Sequence, residues 1–103
     1  MALIRIKANL QFGTGEVYQP PFHTDHDPNG VDFKTCVYYL NTNNGTTVFE
    51  DTRDFVESVE NRIVIFDGKR RHTGTTCTDK KIRLVLNLNF IQGNEINLED
   101  YAN

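Results

Sequence analysis

The sequence predicts an all-β sandwich or barrel of about eight short strands. Residues 2–12 and 82–90 alternate apolar with polar side chains at period two, which is typical of strands with one apolar and one largely polar face. Between them, shorter β-rich runs alternate with turn residues at the spacing expected of an all-β domain. No stretch of about ten or more residues shows a helical period.

Turn chemistry separates the predicted strands in order along the chain. The breaks contain Gly, Asn, Asp and Pro, which favour turn conformations, at Gly13-Thr14-Gly15, Asp27-Pro28-Asn29-Gly30, Asn43-Asn44-Gly45 and Asp67-Gly68. The predicted strands are residues 2–12, 17–25, 34–41, 46–50, 54–60, 62–67, 71–77 and 82–90. Residues 1–92 form one predicted domain, and residues 93–103 form a polar, acidic C-terminal tail.

Length, composition and charge limit the class of protein. A chain of 103 residues is long enough for one domain with one core. Hydrophobic residues make up 38% and charged residues 24%, which is typical of a folded domain and not of a disordered segment. A net charge of -3 argues against a nucleic-acid module held mainly by phosphate contacts. Apolar runs such as 63–66 are far shorter than the ~20 residues of a membrane helix, so we expect no membrane partner.

The two cysteines, Cys36 and Cys77, each lie among alternating apolar residues. A cysteine in that setting behaves as a small hydrophobic side chain, so we expect two free, structural thiols and no disulfide.

Two histidines and one aspartate form a candidate metal site. His23 and Asp25 are two residues apart at the end of a predicted strand, so their side chains share a face, and His72 lies near the start of a later strand. Two imidazoles and one carboxylate on a β scaffold match the facial triad of non-haem Fe(II) oxygenases. A His-x-Asp pair alone is a weak signal, because it also occurs by chance in a solvated surface loop.

Arg83 is the basic residue that follows this set, on the polar face of the last predicted strand. An inward Arg83 would need an anion, and a carboxylate bound in bidentate fashion is its best match. An outward Arg83 would be an ordinary surface charge. The alternation alone leaves both orientations open.

Several runs of residues resemble the Fe(II)- and 2-oxoglutarate-dependent dioxygenases, most closely the prolyl 4-hydroxylase-like branch. The runs are His23 to Gly30, Thr35 to Asn41, Gly45 to Phe49, Arg62 to Asp67, Arg71 to Gly74, and then Arg83. The resemblance extends over about residues 9–90. Compact members of this kind are familiar from bacteriophage and marine-microbial sequences.

The resemblance implies a fold and a set of site residues. The fold is a double-stranded β-helix, which is a cupin-like jelly roll of eight strands in two sheets. The implied catalytic residues are the metal ligands His23, Asp25 and His72. The implied contacts to 2-oxoglutarate are Arg83 and Tyr39, on its distal carboxylate, and Thr35. Asn9 or Gln11 of the first strand would line the same cavity.

The resemblance also implies cofactors, a reaction and a location. The cofactors are Fe(II), 2-oxoglutarate and O2, with ascorbate as a further candidate. The reaction would hydroxylate a peptidyl side chain or a small molecule and release succinate and CO2. Nucleic acid is disfavoured, because related nucleobase demethylases carry a further arginine after the co-substrate arginine and none follows Arg83 through Phe90. No secretory signal is visible, so we expect the cytoplasm, or the host cytoplasm if a phage encodes the chain.

The implied fold leaves an apolar outer face on the sheet that holds the first and last strands. Its residues would be Ile4, Ile6, Leu10, Cys36, Tyr38, Leu40, Leu84, Leu86 and Leu88. Family members usually cover this face with helices, and the sequence predicts none. Either an N-terminal helical segment is missing or a partner chain covers the face, and we predict a homo-oligomer.

Two other functions stay open. A non-catalytic jelly-roll module for binding or structure would keep the fold without needing His23, Asp25, His72 and Arg83 together. A cupin-type metalloenzyme without 2-oxoglutarate would also share the fold. Cupins typically use more His and Glu in the first ligand cluster than His23-Thr24-Asp25 offers.

Overall fold

The computed structural model describes residues 2–25 and 32–91, and they form seven strands. The strands are β1 (Ala2–Phe12), β2 (Lys34–Tyr39), β3 (Thr46–Phe49), β4 (Phe55–Glu57), β5 (Ile63–Asp67), β6 (His72–Gly74) and β7 (Ile82–Ile91). The predicted tail, residues 93–103, lies outside the described residues. No helix in the described part of the chain is long and apolar enough to cross a membrane.

The strands form two antiparallel sheets that enclose one core. The larger sheet has the order β1-β7-β2-β5 and the smaller one β4-β3-β6. Core side chains come from both sheets and pack against one another, namely Val37, Tyr39, Phe49, Phe66 and Val85. The all-β jelly-roll prediction is confirmed, and the first and last strands lie side by side in the larger sheet.

The predicted strand over residues 17–25 is wrong. Among the residues of that segment, only His23 forms a bridge. Its N–H donates to the His72 carbonyl and its carbonyl accepts from the His72 N–H, both at 2.9 Å. Pro20-Pro21 has no N–H to donate, so a regular ladder cannot continue through the segment. The segment runs beside β6 and places His23 directly opposite His72.

The alternation of β1 and β7 orients their polar side chains towards the core. Gln11 pairs with Arg83, and the Arg83 side chain lies on the inner face beside Val85 with only 3% of its surface exposed. Leu10, on the opposite face of β1, is 52% exposed. The polar face of the first and last strands therefore points inward, as the resemblance implied.

The outer face of the larger sheet is apolar along its rows of paired residues. Ile6 pairs with Leu88, Leu88 with Cys36, and Cys36 with Ile65, so one row crosses all four strands. Ile6 and Ile65 at its ends are 54% and 58% exposed, respectively. The prediction of an exposed Cys36 is wrong, because its neighbours on both sides bury it to 8%. Both cysteines are free, as predicted, and both are buried.

The other residues expected on this face divide into three groups. Leu10 is exposed, as predicted. Tyr38, Leu40, Leu84, Leu86 and Leu88 are half-buried by their neighbours. The side chain of Ile4 lies outside the described residues.

We expect two copies of the chain to pair through this face. At ~3.4 Å per residue and ~4.8 Å between strands, it presents on the order of 600 Å², so a pair buries about 1,200 Å², the lower end for stable interfaces. Leu10→Glu should give a monomer, because it places a charge in the interface. Phe55→Glu, at a 60% exposed position of the other sheet, should leave the assembly unchanged. Sedimentation velocity measures both, and a monomeric wild type would contradict the prediction.

Candidate metal centre

The structure brings His23, Asp25 and His72 together. One potential ligand atom from each lies within 4.8 Å of the others. Asp25 Oδ1 is 3.4 Å from His72 Nε2 and 3.8 Å from His23 Nε2. The two rings lie 4.6 Å apart between centroids because of the bridge that joins their main chains. The carboxylate oxygen thus faces both Nε2 atoms across a gap that a metal ion would fill.

The ring of His72 is held in the orientation that a metal ligand needs. Its Nδ1 lies 2.8 Å from the carbonyl of Arg70. A carbonyl only accepts, so Nδ1 carries a proton, and Nε2 is the nitrogen that faces Asp25 and would bind a metal. The edge of Phe66 packs against the same ring at 4.7 Å between centroids. His72 is buried at 6% exposure and cannot swing away to solvent.

Asp25 is held by two neighbours on the larger sheet. Its Oδ2 accepts from Thr35 Oγ1 at 2.7 Å and from Asn89 Nδ2 at 2.8 Å, and the Asn89 amide also donates to Thr35 Oγ1 at 2.9 Å. Both bonds are made to Oδ2, so Oδ1 stays directed at the histidines. Burial alone would raise the pKa of Asp25, but bonds from His72, Thr35 and Asn89 outweigh it and hold that pKa well below its usual range.

The pKa shifts of His23 and Asp25 favour the charge states that bind a divalent metal. Burial and the neighbouring His72 lower the pKa of His23, which favours the neutral imidazole. Neutral imidazoles and an ionised carboxylate are the states that coordinate. Two nitrogen donors and one oxygen donor fit Fe(II) and similar transition metals.

We expect Asn89→Ala to weaken metal binding by roughly ten- to a hundredfold, as is typical when a side chain that orients a metal ligand is lost. The physical reason is that Asp25 Oδ2 and Thr35 Oγ1 both lose a donor. Isothermal titration with Mn(II) would measure the change. Asn44→Ala is the matched control, since it removes an asparagine with similar hydrogen bonds in the loop before β3. Equal affinity in both variants would contradict the role of Asn89.

A cavity of about 250 Å³ extends from the metal site to Arg83. At ~30 Å³ per molecule it has room for about eight waters, or for a small organic acid. Asn9 and Gln11 both line it, as expected from their place on the first strand. His23 and His72 line the same cavity.

Arg83 is a buried cation that has no charged partner among the described residues. Its Nε donates to Ser58 Oγ at 3.2 Å and its Nη1 to Gln11 Oε1 at 3.1 Å, both neutral groups. No carboxylate in residues 2–25 and 32–91 comes within salt-bridge distance of it. Burial lowers the pKa of Arg83, although a guanidinium stays protonated at neutral pH. Such a group requires an anion to offset its desolvation.

Two glycines make the space that Arg83 occupies. A Cβ on Gly45 would lie 2.6 Å from Arg83 Cδ, and one on Gly74 would lie 3.1 Å from its Nη1. Gly74 is two residues beyond His72 on β6, a step of about 6.6 Å along a strand. The guanidinium therefore lies about one such step from the metal site.

Tyr39 and Thr35 make contacts other than those the resemblance implied. The Tyr39 hydroxyl lies 2.7 Å from Thr47 Oγ1, its ring is fully buried, and the Arg83 guanidinium is 5.9 Å from the ring centroid. Thr47 lines the cavity. Thr35 holds Asp25, as described above. The sequence did not predict that Ser58 accepts from Arg83 or that Asn89 donates to Asp25. Alternation predicts which face of a strand a side chain lies on, but not which residue it contacts.

Comparisons with known proteins bear on the fold. No protein-family model and no curated protein sequence matches the chain. The structure is similar to the crystal structure of an RmlC-like cupin protein from Desulfovibrio desulfuricans, with a TM-score of 0.53 and 14% sequence identity over 84% of this chain and 82% of that one. Likeness at this identity supports the cupin or double-stranded β-helix fold and does not select the prolyl hydroxylase-like branch. The chain is an all-β jelly roll, and its fold is similar to that of the RmlC-like cupin.

Proposed function

We propose that this chain is an Fe(II)- and 2-oxoglutarate-dependent oxygenase that hydroxylates a peptidyl or small-molecule substrate. The observation that carries the proposal is a single cavity that is lined both by His23 and His72, beside Asp25, and by a buried Arg83 that has no carboxylate partner among the described residues. A co-substrate with a chelating end and a distal carboxylate would satisfy both groups at once.

The alternative reading of Arg83 as a purely structural residue accounts poorly for its surroundings. A buried cation without a counter-ion destabilises the fold, and an apolar side chain of similar length would pack there more favourably. Gly45 and Gly74 leave room for the guanidinium. A carboxylate is the anion that its planar fork binds best.

Each residue of the site has a task in the proposed reaction. When bound, Fe(II) and 2-oxoglutarate supply O2 activation coupled to oxidative decarboxylation, which yields succinate and CO2. The triad holds the metal by three ligands, with Asp25 kept in place by Thr35 and Asn89. Arg83 holds the distal carboxylate and so orients the keto-acid end towards the triad.

Tyr39 is assigned to the same end of the cavity. Its hydroxyl orients that of Thr47, which lines the cavity and supplies a second donor to the carboxylate. This arrangement gives Tyr39 an indirect contact in place of the direct one that the resemblance implied.

Anaerobic titration with Fe(II) and then 2-oxoglutarate tests the proposal. We expect a weak visible charge-transfer band, which arises when the keto acid chelates the metal. Arg83→Gln should weaken the band at a fixed 2-oxoglutarate concentration and leave Fe(II) binding unchanged, because it retains hydrogen bonding but removes the charge. Well-folded, metal-loaded wild type without a band would refute the assignment of 2-oxoglutarate.

A cupin-type metalloenzyme without 2-oxoglutarate is the second candidate, favoured by the similarity to the RmlC-like cupin. A metalloenzyme of that kind should bind metal tightly and show no charge-transfer band when 2-oxoglutarate is added. Arg83→Gln should then leave metal-dependent turnover unchanged. A non-catalytic jelly-roll module predicts neither metal binding nor a band. The same titration therefore distinguishes the three functions.

A further inference from the structure

A second cavity of about 200 Å³ lies on the other side of the candidate metal site. It shares Asn9, His23 and Asn87 with the first cavity but does not include Arg83. Asp25 lines it, so the two cavities flank the triad. If the first holds a co-substrate, the second is the space left for the substrate.

Two cations of β1 line this second cavity. Arg5 and Lys7 are on the inner face of the strand, where they pair with Asn89 and Asn87 of β7. Among the described residues, no carboxylate lies within 4.0 Å of either cation. Asp25, the acidic residue nearest to them along the cavity wall, is directed at the histidines.

Among the described residues, the charges around the proposed complex leave two solvent-exposed cations of β1 without a counter-charge. A divalent metal and Arg83 offset Asp25 and the two carboxylates of 2-oxoglutarate. Arg5 and Lys7 then remain as two positive charges around a cavity next to the metal. Positive charge lining a cleft concentrates anions there and orients them.

Asn87, which pairs with Lys7, is a polar residue between the two strands that form the second cavity. Its Oδ1 is buried and has no hydrogen-bond partner among the described residues. Buried polar atoms without a partner are rare in folded proteins, and this one belongs to a residue that lines both cavities.

We infer that the substrate is a small oxyanion-bearing molecule, with a carboxylate or phosphate group bound by Arg5 and Lys7. This inference rests on the proposed function for its chemistry, but the anion site itself rests on the geometry of β1 and β7. The site would hold the anionic group at the cavity mouth and leave the rest of the molecule beside the metal.

NMR titration of ¹⁵N-labelled protein with acetate, acetamide and methylphosphonate tests the anion site. The titrations are run on metal-free protein and on protein loaded with Zn(II) and 2-oxoglutarate. We expect saturable shifts of the β1 main-chain amides around Arg5 and Lys7, and of the Asn87 and Asn89 side-chain amides, with the anions but not with neutral acetamide. The tighter of the two anions identifies the group as a carboxylate or a phosphate.

The variants R5Q/K7Q and K81Q distinguish a specific anion-binding site from general electrostatic attraction. The double variant should weaken anion binding by about tenfold. Lys81→Gln changes an exposed lysine just before β7, outside both cavities, and should leave binding unchanged. Equal effects of acetate and acetamide, or equal affinity in R5Q/K7Q and wild type, would overturn the inference. A missing charge-transfer band with an intact anion site would refute the proposed function alone.

Discussion

His72→Ala is expected to lower the affinity for Fe(II) or Mn(II) by more than a hundredfold. His72 is the buried ligand of the triad, fixed by the Arg70 carbonyl and by Phe66. Loss of a side chain that merely orients a ligand costs roughly ten- to a hundredfold, so loss of the ligand should cost more. Isothermal titration under anaerobic conditions, with circular dichroism to check the fold, measures the effect.

A second variant distinguishes the loss of a metal ligand from unfolding, because His72→Ala also removes a packed ring. Asp25→Asn keeps the shape of the side chain but removes the negative charge, and it should lower metal affinity by a similar factor. Asp54→Asn makes the same chemical change at an exposed position near β4 and should have no effect. Metal binding that survives in both His72→Ala and Asp25→Asn would show that the triad is not the metal centre.

Arg83→Met should abolish 2-oxoglutarate binding, with a rise in its Kd of about a hundredfold or more, while metal affinity stays unchanged. The charge-assisted bonds of a buried guanidinium to a carboxylate are worth about 1.5–3 kcal/mol each, and a bidentate contact makes two. Titration of Fe(II)-loaded protein with 2-oxoglutarate, followed through the charge-transfer band, measures the loss.

The same variant has an unusual expected effect on stability. Removing a buried, unpaired cation relieves its desolvation, and Ser58 Oγ still donates to the Gly45 carbonyl at 2.7 Å without Arg83. Thermal unfolding without ligand should therefore show a Tm equal to or above that of the wild type. A large fall in Tm would indicate that Arg83 serves the fold and not a ligand. Arg83→Lys keeps the charge without the fork and should regain only part of the binding.

The long strands were the most predictable part of the fold. Residues 2–12 and 82–90 were predicted almost to the residue, because alternation over that length has no other periodic interpretation. The shorter strands were predicted too long. The predicted strand 54–60 is Phe55–Glu57 in the structure, and the predicted strand 71–77 is His72–Gly74. In short runs the ends depend on which neighbour supplies hydrogen bonds, and local sequence does not specify that neighbour.

The candidate site was also predictable only in part. The residue types and spacing of His23, Asp25 and His72 suggested a metal triad from the sequence alone. The contacts of Thr35 and Asn89 with Asp25 were not predictable, because they join residues that are 10 and 64 positions from it in the chain. Only the register of β2 and β7 places those side chains beside one another.

By itself, the sequence determined the all-β class, the two long amphipathic strands and the chemistry of the candidate ligands. The tertiary structure decided which face of β7 is inside, and so made Arg83 a buried cation at the end of a cavity. It also decided that Pro20-Pro21 leaves His23 on an irregular segment opposite His72. The reason is physical: alternation gives each strand two faces, but only the packing of one sheet on the other determines which face meets the core.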